Sequence, residues 1–426
     1  MGKSALLRRQ AIKLKDTNNI DDVIITITGN ELIGIGDFSS TSQAEIENEW
    51  KKVICRRIIL EITNKFEILD RNIEVEISDI GNIKEKNITT SLTKKILQLT
   101  QSIQTKEKKN ISDVLVREIE ILEKSIKEEE KEKTVWLLID DIDAKYIDNE
   151  ENQQRVGSFF SAIRSLAFSV EGLRVRASVR TDVWRNLRKM EDQDKIRQYV
   201  IDIEWQDTML RSIFVKRILS YLQRENFPPA KNWDTNRHYD QIVGQVFVNS
   251  MPWDRKKVEP YIPIKILAGG RPRWMGQLCK LAGIQAGTSL IRIENIKEAM
   301  HEFGGEKISD IQKEHQHQFS DLSKLLAIFR LGKREYNRFQ LLSLIEKSYI
   351  EKLSGIIPNI NGYPFQKVDQ LAEFLFQIDF LSGHNDGKSN FLTYNDNPEL
   401  FQTAENAKNK LLWTVNASYR NFLKII

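Results

Sequence analysis

Apolar positions in the first half of the chain follow two spacings, one typical of strands and one typical of helices. The β-branched run at 22–28 and the continuous apolar run at 135–139 predict strands, and the second is typical of a strand buried on both faces of a parallel sheet. The same patterns predict further strands at 173–178 and 199–203, and helices at 42–64, 91–133, 152–170 and 183–190. Strands that alternate with helices in this order predict an α/β domain.

The second half of the chain has a helical spacing. From residue 205 the apolar positions recur every three or four residues, and no strand is predicted through 311. The pattern that follows is typical of a winged helix. It predicts helices at 322–331, 339–353 and 368–381, a turn at 382–389 and a strand at 390–394.

The third of these helices is the element that enters the DNA major groove in many winged helices. Here it carries Asp369, Glu373 and Asp379, and no Lys or Arg lies between 368 and 381. Attraction to phosphates is therefore absent or reversed. The sequence favours packing or docking to a protein partner over DNA binding by this helix.

Composition and charge exclude several classes of protein. The 426 residues are 40% hydrophobic, enough for sizeable cores, and the net charge of +4 does not by itself indicate a nucleic-acid partner. Two cysteines, Cys55 and Cys279, exclude a disulfide framework and a multi-cysteine metal site, so we expect a cytoplasmic protein. No apolar run approaches the roughly 20 residues of a membrane span, so no membrane partner is expected, and the N-terminus does not resemble a signal peptide.

The chain begins with Gly2, Lys3 and Ser4, which form the second half of the phosphate-binding motif G-x-x-x-x-G-K-[ST]. In a complete motif the backbone N–H groups surround the phosphates, the lysine neutralises the β and γ oxygens, and the hydroxyl ligates Mg²⁺. An ordinary helix start explains three such residues when they stand alone. The nucleotide interpretation therefore depends on a matching acidic strand.

The apolar run at 135–139 supplies such a strand, because it ends in two carboxylates, Asp140 and Asp141. Ligands of doubly wound sheets bind at the carboxyl ends of the strands. One carboxylate there can hold Mg²⁺ on a nucleotide, and the next can orient or deprotonate the attacking water. Together with Gly2-Lys3-Ser4 the acidic strand predicts a nucleotide site, and the alternative is a strand that ends in a polar turn.

Two arginines are candidates for contact with the γ-phosphate. The third predicted strand ends in polar residues beside the acidic pair in the expected sheet. A Ser, Arg or Thr there can reach the γ-phosphate or the attacking water and so report whether the nucleotide is hydrolysed, and Arg180 is the candidate. Arg273 lies near the start of a helix that Pro272 begins, where an anion would offset its unfavourable position in the helix dipole. The alternatives are a basic strand face that includes Arg174 and Arg176, and an exposed arginine after a glycine-rich turn.

Residues 2–4, 138–143, 178–181 and 270–273 appear in the order of Walker A, Walker B, sensor 1 and sensor 2. With them the chain resembles bacterial P-loop ATPases of the AAA+/STAND group, which includes KAP-like members, with a C-terminal winged helix. The resemblance implies an α/β fold, a three-layer P-loop NTPase (ASCE type) parallel sheet, followed by a helical lid and a winged-helix domain. The implied domains are 1–204, 205–318 and 319–426, and we expect the first to lack its leading strand and the start of the P-loop.

The resemblance also assigns roles to individual residues. ATP would be bound by Gly2, Lys3, Ser4, Ala5 and Arg273. Mg²⁺ would be ligated by Ser4 and Asp140, Asp141 would act as the catalytic base, and Arg180 would sense the γ-phosphate with Arg273. AAA+ ATPases usually carry Glu at the position of Asp141, so the shorter carboxylate favours a slow switch over fast hydrolysis.

Two functions from different classes follow from these observations. The first is an ATP-dependent switch in bacterial signalling or defence, acting on a second copy of the chain or on an effector protein. The alternative is a DNA-binding winged-helix regulator with a degenerate ATPase domain, which draws on the basic residues between 174 and 189 and on the isoelectric point of about 8.7. A third option, a purely helical scaffold, does not explain the strand predicted at 135–139.

Two further motifs are given no functional role. We expect a loop at 29–36. We expect no metal site at His315 and His317, because residues two apart on a helix face different sides.

Overall fold

The computed structural model describes residues 2–17, 22–34, 36–40, 42–65, 134–144, 146–147, 149–187, 193–253, 255–353, 357–385, 391–394, 396–408 and 410–425. The chain forms two compact units, Met1–Ile203 and Glu204–Ile426. The helix predicted at 91–133 lies outside the described residues. None of the described helices is long and apolar enough to cross a membrane.

The first unit combines a small parallel sheet with helices, which confirms the α/β class predicted for this part of the chain. Its strands are β1 (Val23–Thr28), β2 (Val135–Asp140) and β3 (Leu173–Ala177). Its helices are α1 (Lys3–Thr17), α2 (Gly29–Ile33), α3 (Gln43–Lys65), α4 (Glu150–Ser169), α5 (Thr181–Asn186) and α6 (Gln193–Arg197). The strands pair in the order β1-β2-β3, all parallel, with Thr28 beside Asp140 and Ile139 beside Ala177. The carboxyl ends of the strands therefore meet at one edge.

Alternate side chains of the strands form the main core of the first unit. Leu137 and Ile139 of β2 point to one face of the sheet and are fully buried. Helices α3 and α4 cover this face with Trp50 and Phe159, whose ring centroids are 5.1 Å apart. Burial of each such side chain contributes roughly 1.5–3 kcal/mol. Burial of this face under two amphipathic helices stabilises the apolar runs as strands.

Helix α1 covers part of the opposite face of the sheet. Leu138 points away from the main core, because neighbouring residues of a strand face opposite sides, and it is nevertheless 1% exposed. Helix α1 contacts β1 and β2 and buries its own Ala11 and Leu14. The first residue of α1, Lys3, is thereby brought to the sheet.

Two features of the first unit differ from the sequence predictions. The strand predicted at 199–203 is an irregular segment, and Ile201 in it is 82% exposed. A strand needs a neighbour for its backbone hydrogen bonds, and among the described residues β3 pairs with β2 alone. The loop predicted at 29–36 begins instead with α2, because Thr28 and Glu31 form a capping box.

The second unit is mostly helical. Its helices are α7 (Asp207–Arg224), α8 (Tyr239–Gly244), α9 (Tyr261–Leu267), α10 (Pro272–Ala286), α11 (Ile293–His315), α12 (Leu322–Ala327), α13 (Arg338–Ser348), α14 (Val368–Gln377), α15 (Ala404–Ala407) and α16 (Ala417–Leu423). Its strands are β4 (Met251–Trp253), β5 (Lys256–Val258), β6 (Glu335–Asn337), β7 (Asn359–Ile360), β8 (Tyr363–Pro364), β9 (Leu381–Asn385) and β10 (Leu411–Val415). Short 3-10 helices lie at Pro228–Asn232, Ile350–Lys352 and Leu400–Gln402.

Helices α7, α10 and α11 form a helical core in the first part of this unit. Phe214, Trp274 and Phe303 are buried in it, and the rings of Trp274 and Phe303 meet edge to face at 5.5 Å. The prediction of no strand through 311 is wrong at β4 and β5, which pair as an antiparallel hairpin. Strands of three residues are too short for a period of two to appear in the sequence.

The C-terminal part of the second unit contains an antiparallel sheet of three strands, with β10 between β6 and β9. The turn predicted at 382–389 is wrong in its first part, because β9 occupies these positions and pairs with β10. In the strand predicted at 390–394, Leu392 makes an isolated bridge to Gly383. The three predicted helices are present in shorter form as α12, α13 and α14.

Helix α11 belongs to two cores of the second unit. Ile296 and Phe303 in its first part are buried in the helical core, and Ile308 and Ile311 are buried in the core of the C-terminal part. Helix α16 lies against it so closely that a Cβ on Gly304 would be 2.8 Å from the backbone oxygen of Ser418. One continuous helix therefore joins the two cores.

Candidate functional site

Polar side chains meet at the carboxyl edge of the sheet in the first unit. Strand β2 ends at Asp140, the chain continues through Asp141 and Asp143, and β3 is followed by Ser178 and Arg180. We call these five residues the sheet-edge cluster. The predicted site residues Asp140, Asp141 and Arg180 thus lie together, because parallel strands bring their carboxyl ends to one edge.

Ser178 links the ends of β2 and β3. Its Oγ donates to Asp140 Oδ1 at 2.5 Å and accepts the backbone N–H of Asp141 at 3.2 Å. Asp140 Oδ1 also accepts the N–H of Asp141 at 3.1 Å. The backbone N–H of Ser178 donates to the backbone oxygen of Ile139 at 2.9 Å, so the pairing continues past the end of β3. Hydrogen bonds within the protein therefore fix the orientation of the Asp140 carboxylate.

Asp143 and Arg180 form a partly buried ion pair in the same cluster. Asp143 Oδ2 accepts the backbone N–H of Arg180 at 2.8 Å and its Nε–H at 3.1 Å. Asp143 is 4% exposed, and a carboxylate buried this deeply needs such a partner. Arg180, which the sequence assigns to the γ-phosphate, is therefore held by Asp143 at the start of α5.

The surroundings of Asp141 shift the pKa of its carboxyl group. Partial burial raises its pKa above the ordinary value, and the negative charges of Asp140 and Asp143 raise it further. Lys3 and Arg180 are near enough for their positive charges to oppose this rise. Asp141 also has a φ of 53°, in the left-handed region that Asp tolerates better than most residues. A carboxylate with a raised pKa is a stronger base, which suits proton transfer.

The start of α1 lies beside the sheet-edge cluster. Gly2 has a φ of 110°, which glycine adopts freely, and its backbone oxygen accepts the N–H of Leu6 at 2.9 Å. Lys3, Ser4 and Ala5 form the first turn of α1, which contains no acidic residue. Helix α1 contacts β1 and β2, and Lys3 is near enough to Asp141 for its charge to lower the pKa of this carboxyl.

Gly29 allows β1 to approach the loop that follows β2. A Cβ at this position would lie 2.4 Å from Ile142 Cα and 2.7 Å from the backbone oxygen of Asp141. Atoms do not approach so closely, so a larger residue would displace the loop that carries Asp141. The sequence predicts a loop at Gly29 and gives no sign of this contact.

Arg273 belongs to the second unit, where it is the second residue of α10. Its side chain is 70% exposed and pairs with Asp310 of α11 at 3.2 Å. Its guanidinium also lies 5.5 Å from the ring centroid of Trp274. The anion that the sequence analysis expects at this helix start is thus present as a carboxylate of the chain itself.

A second group of charges lies in the second unit, and we call Arg271, Lys307, Asp379, Ser418 and Tyr419 the Lys307 cluster. Lys307 is 6% exposed, donates to Ser418 Oγ at 2.8 Å and lies 4.9 Å from the Tyr419 ring centroid. Arg271 and Asp379 pair at 3.5 Å near it. Burial lowers the pKa of Lys307 to about 7, and burial raises the pKa of Asp379.

Ser178 and Asp143 are functional candidates in addition to the predicted site residues. A Ser, Arg or Thr at the end of β3 can reach a γ-phosphate or the attacking water, and Arg180 is the candidate that the sequence favours. The pairing register of β2 and β3 places Ser178 next to the acidic residues. Ile139 is beside Ala177, so the next pair along the two strands is Asp140 and Ser178. Residues paired across parallel strands share a face. A prediction of register would therefore have identified Ser178.

No protein-family model, curated protein or solved structure matches this chain. Among the described residues, no group of three or more His, Cys, Asp or Glu side chains is arranged to hold a metal ion. The function is therefore inferred from the arrangement of the residues themselves.

Proposed function

We propose that the protein binds Mg²⁺-ATP at the sheet-edge cluster and works as a slow nucleotide-dependent switch, similar to P-loop ATPases of the AAA+/STAND group. The observation that carries this proposal is that α1 contacts β1 and β2, and that Lys3 at its start is near enough to Asp141 for its charge to lower the pKa of this carboxyl. A lysine at a helix start and two carboxylates at the end of a strand are the groups that bind phosphates and their metal.

The arrangement of the first unit supports the proposal. Strand β1 follows α1 along the chain, β2 ends in the acidic pair and β3 ends next to Ser178, and the three are neighbours in that order. The strand that precedes Arg180 thus lies beside the acidic strand, as the sequence predicts. Helix α1 against one face and helices α3 and α4 against the other are compatible with a three-layer sheet.

The order of elements in the C-terminal part supports a winged helix there. Apart from the short hairpin of β7 and β8 after α13 and the short helix α15 after β9, helix α12 is followed by β6, then by α13 and α14, and then by β9 and β10. The sheet has the last strand in its centre, between the first and the second. Helix, strand, two helices and two strands is the element order of winged-helix modules.

Each residue of the site has a chemical task in this proposal. Lys3 would neutralise the β- and γ-phosphates, Ser4 and Asp140 would ligate Mg²⁺, and Asp141 would accept the proton of the attacking water. Mg²⁺ is usually held by one or two carboxylates together with substrate phosphates and water. Among the described residues, Asp140 is a carboxylate of fixed orientation that could serve as such a ligand. No group of three or more candidate metal ligands lies together there, so phosphates and water would complete the coordination.

Two features favour slow turnover. The carboxylate of Asp141 is one methylene shorter than the glutamate that AAA+ ATPases usually carry. Asp143 accepts the backbone N–H and the Nε–H of Arg180, so a γ-phosphate that approached these donors would compete with this carboxylate. Competition between a phosphate and a carboxylate for one arginine would give the protein two states, as a switch requires.

DNA recognition by α14 has less support. Leu371, Phe374 and Leu375 of this helix are buried, Asp369 pairs with Arg338, and Glu373 accepts a hydrogen bond from Gln402 at 3.0 Å. The exposed side of α14 is therefore acidic and already bonded within the protein. Such a surface repels phosphates.

Binding of a fluorescent ATP analogue in the presence of Mg²⁺ tests the proposal. Lys3→Ala and Asp140→Asn should each weaken binding by about ten-fold or more, because each removes a charged contact worth about 1.5–3 kcal/mol. Asp141→Asn should keep the affinity and slow phosphate release, because it removes the base and leaves the phosphate contacts.

Matched controls are Lys15→Ala at the far end of α1 and Asp194→Asn on α6, both at exposed positions. These variants should bind the analogue as the unchanged protein does. The proposal is wrong if Lys3→Ala and Asp140→Asn keep full affinity while circular dichroism shows them folded. If Asp141→Asn released phosphate as fast as the unchanged protein, the assignment of Asp141 as the base would be wrong, but the proposed ATP binding would stand.

A further inference from the structure

A compact basic surface lies in the C-terminal part of the second unit, outside α14. It consists of the turn between α12 and β6 and the end of α16, and we call it the basic turn surface. Its cationic residues are Arg330, Lys333, Arg334, Arg420 and Lys424. Glu335 is the one acidic residue between 328 and 338, and no acidic residue lies between 416 and 426.

Backbone hydrogen bonds join the two segments of this surface. The N–H of Leu331 donates to the backbone oxygen of Leu423 at 2.9 Å, and the N–H of Val415 donates to the backbone oxygen of Arg334 at 3.1 Å. The guanidinium of Arg330 lies 5.5 Å from the ring centroid of Phe422 on α16. The cations of the turn and of α16 therefore belong to one continuous surface.

Few carboxylates neutralise these cations. Arg334 pairs with Glu335 at 3.4 Å, whereas Arg330, Lys333 and Lys424 are exposed and form no ion pair with the described residues. Burial lowers the pKa of Arg420 to about 10, and the positive charge of Arg334 lowers it further. Mutual repulsion of this kind is costly to the free protein, and a polyanion would relieve it.

The backbone of the turn is strained at an exposed leucine. Leu331 has a φ of 59°, a left-handed conformation that is unfavourable for a leucine, and its side chain is 68% exposed. The neighbouring Lys424 also has a positive φ, of 53°. Strained residues of this kind tend to cluster at binding and functional sites. Here the strain holds an apolar side chain outward between Arg330 and Lys333.

We propose that the basic turn surface binds the phosphate backbone of double-stranded DNA without reading its sequence. Arg330, Lys333 and Lys424 would contact phosphates, and Leu331 would pack against a sugar in the groove. Among its described residues the basic turn surface exposes one large apolar side chain, Leu331, which is too little to insert into a lipid bilayer. This activity is independent of the proposed nucleotide site.

Fluorescence anisotropy of a labelled duplex of about 20 base pairs, titrated with the full chain at several salt concentrations, tests the proposal. We expect binding in the micromolar range at about 50 mM salt. The triple variant Arg330→Gln/Lys333→Gln/Lys424→Gln should bind about ten-fold or more weakly. Its slope of log affinity against log salt should be shallower by about two to three, because three phosphate contacts are lost.

The matched control is the triple variant Arg255→Gln/Lys256→Gln/Lys257→Gln in the hairpin of β4 and β5, which removes the same number of exposed charges from the same unit. It should change the affinity by less than about two-fold. If the first triple variant melts at a lower temperature, single Lys333→Gln and Lys424→Gln substitutions should still each weaken binding by about two- to three-fold.

Three outcomes would overturn the proposal. They are no DNA binding at low salt, an equal loss of affinity in the two triple variants, and binding to phosphatidylserine vesicles that the first triple variant loses while it keeps DNA binding. Asp140→Asn, which lies in the other unit, should leave the DNA affinity unchanged. A failure of ATP binding in that variant therefore does not bear on this surface.

Discussion

The sheet-edge cluster and the Lys307 cluster contain similar groups in different surroundings. Each combines acidic and basic side chains with a serine hydroxyl, and each holds an aspartate with a raised pKa, Asp141 in one and Asp379 in the other. Asp141 is exposed at the end of a sheet, whereas Lys307 is 6% exposed between helices. A shifted pKa is thus common to both and does not by itself identify a functional site.

Access to solvent separates the two clusters. At the sheet edge, the carboxylate of Asp140 is oriented by Ser178 beside an exposed Asp141, so a ligand can reach it. In the Lys307 cluster, the amine donates to Ser418, whose Oγ donates to the backbone oxygen of Leu267 at 2.6 Å. The first arrangement suits chemistry on a bound molecule, and the second fixes helices to one another.

The largest expected effect is on the pH dependence of stability at Lys307. Its folded-state pKa of about 7 lies below its usual 10.5, so between these values the unfolded chain binds more protons and stability rises with pH. We expect a gain of about 2 kcal/mol in unfolding free energy from pH 7 to pH 9. Lys307→Met should be more stable than the unchanged protein at pH 7 and should lose this rise.

Urea unfolding at several pH values measures this effect, and Lys280→Met at an exposed position of α10 is the control. That variant should keep the pH dependence of the unchanged protein. A Lys307→Met protein that is less stable at pH 7 would show that the ammonium is stabilised where it lies, and the comparison of the two clusters would fail.

A smaller effect is expected at Ser178. Ser178→Ala removes the hydroxyl that bonds Asp140 and the N–H of Asp141, and it should cost about 1–2 kcal/mol of unfolding free energy. Ser161→Ala is the matched control, because Ser161 Oγ is buried and has no hydrogen-bond partner among the described residues. That variant should be neutral or slightly stabilising. Equal losses in the two variants would mean that Ser178 does not orient Asp140.

The smallest effect is a change in the pKa of Asp141, measured by NMR titration of its carboxyl group. Asp140→Asn should lower this pKa, because Asp140 repels the ionised form, and Lys3→Ala should raise it. Each change should be at most about one pH unit, since the groups are partly solvated. If Lys3→Ala left the pKa of Asp141 unchanged, Lys3 would not lie near the acidic strand, and the main support for the nucleotide site would be lost.

The sequence alone predicts the elements that have a single strong pattern. Strand β2 was predictable because five consecutive apolar residues precede Asp140 and Asp141, and helices α3 and α4 because their apolar faces recur at helical spacing. The meeting of Asp140, Asp141 and Arg180 follows from the parallel order of β2 and β3. These predictions depend on local patterns, which tertiary structure here does not override.

The remaining features depend on pairing between distant segments. Strand β10 is buried on both faces at all but one position, so its alternation is hidden, and its partners β6 and β9 lie far away in sequence. The strand expected at 199–203 has the right residues and no neighbour among the described strands. Ser178 acquires its role from register, and Arg180 is bound by Asp143, which no local pattern indicates.

Helix α11 has a practical consequence for anyone who wishes to study parts of the second unit. Its 23 residues span about 35 Å and act as a strut whose two ends are anchored in different cores. A fragment that ends soon after His315 would leave Ile308 and Ile311 uncovered, and one that begins there would lack the surface on which α16 rests. Both fragments would expose apolar surface that is buried in the intact unit and would tend to aggregate, so the second unit is best expressed in one piece.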